Sequence, residues 1–145
     1  MSVVRCAYSL VIRLARGKRI KVGSLGDLDF EEGLYVYTGS DYRRVRRHLR
    51  GEKKTFWHID YLLKDEDSEL LWAVWCKEDM RVECKVNQAI FKALGRHATK
   101  IPRFGSSDCR AGCGSHLIRA DLGLEELKSL LLRVYSSISN EVEHL

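Results

Sequence analysis

Residues 3–14 alternate between two faces of an extended chain. Cys6, Tyr8, Leu10, Ile12 and Leu14 share one face, and Arg5, Ala7, Ser9, Val11 and Arg13 share the other. A period of two predicts a strand over Val3–Leu14. Ala15-Arg16-Gly17-Lys18 reads as a turn and Arg19–Val22 as a returning strand, so a hairpin between the two is expected. Gly23, Gly26, Asp27 and Asp29 mark residues 23–32 as an irregular connection. Alternation resumes at the third strand, with Leu34, Val36 and Thr38 on one face and Tyr35 and Tyr37 on the other.

The period then changes. Gly39-Ser40-Asp41 supplies a turn and candidate helix N-cap residues. Tyr42, Val45 and Leu49 form the apolar side of a short helix whose other sides are basic. Gly51 to Lys54 ends it. Phe56, Ile59 and Leu63 predict a second short helix, with Asp60 and Lys64 as a surface pair four residues apart. Leu70–Cys76 is a continuous apolar run, which predicts a buried strand. Val86, Ala89, Ile90, Ala93 and Leu94 give a core stripe to a helix over Glu83–Leu94. Residues 95–114 read as one long polar loop, a length that in a compact domain marks function or disorder. Ser115–Arg119 is expected as a last strand, and Leu124, Leu127, Leu131 and Val134 as the stripe of a C-terminal helix. With no repeat or linker, residues 1–145 read as one domain. The order of elements predicts an α+β fold, a small mostly antiparallel sheet flanked by helices.

Composition narrows the function. The net charge of the 145 residues is +5. It is concentrated: Arg43, Arg44, Arg46, Arg47, Arg50, Lys53 and Lys54 face a single acid, Glu52, while residues after Gly123 are neutral to acidic. Such a patch suits nucleic acid. No apolar run reaches the roughly 18 residues of a membrane span, and the first residues lack a signal-peptide pattern, so a cytoplasmic protein with no membrane partner is expected. Five cysteines in such a chain favour thiols or a metal site over a disulfide framework.

One set of blocks goes further. Tyr37-Thr38-Gly39, followed by Arg44 and by His48 one helical turn on, resembles the second half of the GIY-YIG nuclease pattern. The blocks Trp57-His58-Ile59-Asp60-Tyr61-Leu62-Leu63, Glu83-Cys84, Phe104 to Cys109 and Ser115-His116-Leu117 extend the resemblance over about residues 5 to 120. They are similar to an archaeal branch of that superfamily catalogued only as a domain of unknown function. The first half, Gly-Ile-Tyr in the superfamily, is Cys6-Ala7-Tyr8 here.

The resemblance implies an endonuclease that hydrolyses phosphodiester bonds of DNA, in a structured or damaged form as in DNA repair, with one magnesium or manganese ion. Tyr8 or Tyr37 would contact the attacking water, Tyr37 being favoured. Arg44 would stabilise charge on the phosphoryl oxygens, with His48 beside it and Arg46 or Arg47 as alternatives. Glu83 would hold the metal. An arginine suits its role because its planar fork bonds two oxygens and keeps its proton.

Further residues are candidates for contacting nucleic acid. Gly39 and Ser40 are placed at the turn, and Arg43, Arg46, Arg47, Arg50, Lys53 and Lys54 along the basic run. His58 could stack on a base, whereas Trp57 is expected in the core. Ser106, Ser107 and Asp108 would line a groove. Cys109, Cys113 and His116 resemble a partial zinc site, with Cys84, Cys76 or His58 as a fourth ligand. Their irregular spacing argues against zinc. The alternatives to an enzyme are a non-catalytic nucleic-acid-binding module on the same fold and a zinc-stabilised interaction domain.

Overall fold

The computed structural model describes residues 6–50, 55, 57–78, 81–105 and 112–145. Residues 3–5 of the expected first strand, Phe56, Lys53, Lys54, Ser106, Ser107, Asp108 and Cys109 lie outside them. The fold is α+β. Its elements in chain order are β1 (Tyr8–Leu14), β2 (Lys18–Lys21), β3 (Asp27–Phe30), β4 (Gly33–Gly39), α1 (Arg44–Leu49), α2 (His58–Leu63), β5 (Ser68–Cys76), α3 (Glu83–Leu94), β6 (Ala98–Lys100), β7 (Leu117–Ala120), α4 (Leu124–Ile138) and β8 (Val142–His144). Six strands form an antiparallel sheet in the order β6-β7-β4-β1-β5-β8.

β1 is apolar on both faces because it is central and covered on both. One face, with Val11, Val36 and Val74, packs on the stripes of α3 and α4: Val86, Ile90, Leu127, Leu131 and Tyr135. The other, with Tyr8, Leu10, Ile12, Tyr35 and Tyr37, packs on Val45 of α1, Ile59 and Leu62 of α2, and Phe104. Two polar residues on the first face are tied together. Ser9 Oγ lies 2.8 Å from both Thr38 Oγ1 and Tyr135 Oη, so the buried hydroxyls satisfy each other.

The expected hairpin of β1 with the returning strand does not form. β4 and β5 occupy both edges of β1, leaving it no edge to offer. β2 instead pairs with β3, inside the stretch expected to be irregular, and the register sets Arg19 against Asp29 and Lys21 against Asp27. The signal was present as acids alternating with Leu28 and Phe30. The expected loop 95–114 also contains β6, which pairs with β7.

Helix α1 departs from its apolar stripe. Val45 is buried, but Leu49 is 48% exposed, and a histidine, His48, takes the inward position. Arg43 is the N-cap residue of α1, with no side-chain cap; Asp41 caps the turn before it, its Oδ1 accepting from the Arg43 N–H at 3.2 Å. Asp41, at φ 69°, makes that turn and holds Arg43 through a carboxylate–guanidinium pair.

Asp60 is not on the surface. Its carboxylate accepts from Arg47 Nη1 at 2.9 Å and Nη2 at 3.2 Å, and from the Trp57 backbone N–H at 2.9 Å. The two side chains are only 15% and 5% exposed. Removing one member of such a pair strands a charge in the interior. Asp60→Ala should therefore cost roughly 3 kcal/mol of stability, read from urea unfolding. An unchanged midpoint would contradict the pairing.

Cys6 and Cys76 form a disulfide between the lead-in to β1 and the end of β5, contrary to the expectation of thiols. Antiparallel pairing accounts for it: the Cys76 N–H donates to the carbonyl of Ala7, which brings the two cysteines side by side. Cys76 is thereby removed from the possible zinc ligands.

Candidate active site

The end of β4 and the start of β1 meet because the strands are antiparallel: Tyr8 is the register partner of Gly39. A side chain at position 39 would collide with Tyr8, since a Cβ there would lie 2.6 Å from the phenol oxygen. Glycine in Tyr37-Thr38-Gly39 is thus the space the tyrosine ring occupies. Tyr8 is 1% exposed. Its Oη lies 3.0 Å from His48 Nε2, and its ring centroid is 6.2 Å from that of Tyr37.

Burial sets the protonation states of this cluster. It pushes Tyr8 well above the usual phenol value, reinforced by Tyr37 and opposed by the charge of Arg44. Tyr37 is pushed up to about 12 by burial, again opposed by Arg44. His48 is pushed down to about 4, chiefly by burial. At neutral pH both phenols are protonated and the imidazole is neutral. His48 is therefore the one member of the group Tyr8, Tyr37, Arg44 and His48 able to accept a proton.

The same shift makes stability depend on pH. The unfolded chain protonates His48 near 6.5, whereas the folded protein does so near 4. Between these values the unfolded state binds more protons, so stability falls as pH drops through that window and is fully present above it. Allowing for partial relaxation, the loss is about 1–3 kcal/mol. Denaturant titrations at pH 7 and pH 4.5 measure it, and His48→Gln should flatten the difference.

Arg44 begins α1 and leans over the ring of Trp57, 4.5 Å from its centroid, with Arg47 at 4.7 Å from the same ring. Its Nη1 is 3.5 Å from Ser40 Oγ. Trp57, expected in the core, is 37% exposed. The flanks of α1 thus divide. Arg47 is committed to Asp60, while Arg43, Arg46 and Arg50, with Lys77, line a cleft of about 700 Å³ that also holds Tyr42, Val45, Leu49, Trp75 and one acid, Glu143, which pairs with Lys77 and accepts from the Trp75 indole N–H. His58 points elsewhere. Its Nδ1 accepts from the Gly105 N–H at 2.8 Å and its ring meets Phe104 edge-on, so it anchors the chain before residue 106.

Glu83 opens α3. Its neighbour Cys84 has Sγ 3.8 Å from His116 Nε2, and His116 Nδ1 is 3.1 Å from the carbonyl of Thr38. The first turn of α3 therefore lies at the same end of β4 as Tyr37 and Gly39, but α3 packs on the opposite face of the sheet from Tyr8, Tyr37 and α1, so Glu83 is not brought into contact with the tyrosines, His48 or Arg44 among the described residues. Glu83 Oε2 is buried and has no hydrogen-bond partner among the described residues; neither has Oδ1 of Asn87, one turn on. Two unsatisfied oxygens on one helix face fit a hard divalent ion. Asn87 was missed in the sequence, where its place beside the apolar stripe reads as ordinary helix polarity. Its Nδ2 donates to the carbonyl of Ser115 at 2.7 Å, so the amide oxygen has a fixed direction.

A family profile, the domain of unknown function DUF123, matches residues 7–139. The chain belongs to this family. Comparison with curated proteins and with solved structures returns no match. The family match runs from the residue before β1 to just past α4. It includes Tyr8, Tyr37, Arg44, His48 and Glu83, and leaves β8 outside. No helix among the described residues is long and apolar enough to cross a membrane.

Proposed function

We propose that the protein is a GIY-YIG-type endonuclease that hydrolyses phosphodiester bonds of DNA with a divalent metal. The observation that carries the reading is the Tyr8–His48 hydrogen bond set beside Tyr37, with the charge of Arg44 acting on both phenols. Glu83, with Asn87 behind it, would hold a magnesium or manganese ion, which when bound polarises the phosphate and stabilises the leaving oxygen.

The chain's own groups have distinct tasks. Tyr37 Oη has no hydrogen-bond partner among the described residues and is not one of the buried unsatisfied atoms. It is free to orient a water. A phenol held near 12 does not deprotonate that water at neutral pH. The water proton passes instead to Tyr8 as the proton of Tyr8 moves to neutral His48. Arg44 neutralises charge on the phosphoryl oxygens. The cleft beside Arg43, Arg46 and Arg50 supports the reading as a track for the sugar-phosphate backbone, with Trp75 and Tyr42 as apolar surface for bases.

Nicking of supercoiled, branched and single-stranded DNA with added magnesium or manganese tests the proposal. Metal-dependent cutting of at least one substrate, abolished by chelator, is expected. Binding without cutting on all three would favour the nucleic-acid-binding module.

A further inference from the structure

Spacing along the chain considers Cys109, Cys113 and His116 as one loop, and in that frame zinc looks poor. The fold supplies a different set. Cys84 Sγ from α3, Cys113 Sγ and His116 Nε2 from the segment leading into β7 all lie within 4.8 Å of one another. Cys113 and His116 are buried and Cys84 is half-buried. We propose that these three residues bind a zinc ion, clamping the first turn of α3 to the end of β4.

Three observations besides proximity support it. The first is scale. Ligands at ordinary zinc distances on a tetrahedron stand about 3.5–3.8 Å apart. Cys84 Sγ and His116 Nε2 are already 3.8 Å apart, so closure needs only small side-chain movements.

The second is the tautomer of His116. Nδ1 lies 3.1 Å from the Thr38 carbonyl oxygen, which can only accept. Nδ1 therefore carries a proton, which leaves Nε2, on the side of the two sulfurs, as the nitrogen that can offer a lone pair to an ion. A ligating histidine fixed through its other nitrogen to a backbone carbonyl is the usual outer-shell arrangement of zinc sites. His116 is further tied into β4, since its carbonyl accepts from the Thr38 N–H at 3.0 Å.

The third is the surroundings of Cys113. Gln88 Nε2 donates to its Sγ at 3.6 Å, a contact that stabilises a thiolate. Lys100 Nζ donates to the Cys113 carbonyl at 2.8 Å, holding the backbone in place. Two sulfurs and an imidazole are a soft set that selects zinc over magnesium. The site is thus chemically separate from the oxygens of Glu83 and Asn87. The described residues supply three ligands.

The test is direct and independent of any activity. Reduced, chelator-treated full-length protein is titrated with cobalt(II), then with zinc. The expected result is one cobalt per chain, with a thiolate-to-cobalt charge-transfer band, strong visible bands of a tetrahedral ion, and displacement by stoichiometric zinc. Cys84→Ser and Cys113→Ser should each weaken the charge-transfer band, and the double variant should lose it. Circular dichroism checks the fold of each variant, and the wild-type spectrum stands whatever the variants do. No charge-transfer band in the wild type would overturn the proposal. So would a band that survives in the Cys84→Ser, Cys113→Ser double variant.

Discussion

If the proposed nuclease reading holds, Glu83→Gln should abolish metal-dependent cleavage while DNA affinity stays or rises. The substitution keeps the size of the side chain and the helix, and removes the charge that would hold a divalent ion. Oε2 of Glu83 is buried without a hydrogen-bond partner among the described residues, and a carboxylate oxygen in that position is costly unless something cationic meets it. A neutral amide relieves that cost, so stability should hold or rise slightly. Affinity should not fall, because a negative charge near phosphate has gone. Nicking assays, filter binding and thermal melts read the three quantities. Full activity in Glu83→Gln would remove the glutamate from metal binding and leave the remainder of the mechanism standing.

On the same reading, Arg44→Ala should lower turnover by about a hundredfold or more, the scale of one lost electrostatic stabiliser. Its charge opposes the upward shift of both Tyr8 and Tyr37, so its loss also makes the phenols harder to ionise. The stability change should be small. The guanidinium lies over the exposed Trp57 ring, a contact worth about 0.5–1 kcal/mol at such a site. Arg47→Ala should show the reverse pattern, because Arg47 is bound to Asp60: a large loss of stability, with activity reduced only through folding. Equal losses of turnover at matched stability in both variants would contradict the separate assignments.

The contrast between these arginines shows what the sequence could convey. Alternation identified β1 and β4, and a continuous apolar run identified β5, because buried faces leave their mark on the order of apolar residues. The stripes of α3 and α4 were legible for the same reason. The partners of the strands were not. Hairpin adjacency favoured β1 with β2, yet the faces and edges of β1 were already taken by elements far along the chain. Asp60 was read as a surface acid because it stands four residues before Lys64, a local rule, while its partner Arg47 lies in another helix. Tyr8, Tyr37, Arg44 and His48 were legible through their pattern, and the structure brings them together. Cys84 was visible only as one optional ligand, since its meeting with Cys113 and His116 depends on how α3 packs against β4. Asn87 left no signal, because a buried polar atom is recognised only by what fails to bond it.

The proposed relay from Tyr8 to His48 is the core of the proposed mechanism, and Tyr8→Phe isolates it. The ring and its packing against Gly39 remain; only the oxygen 3.0 Å from His48 Nε2 is lost. Single-turnover cleavage by Tyr8→Phe and wild type, with DNA affinity measured in parallel, is the decisive comparison. The account predicts a rate lower by about a hundredfold or more, as for loss of a proton-transfer group, with affinity unchanged. Cleavage by Tyr8→Phe at the wild-type rate would contradict it.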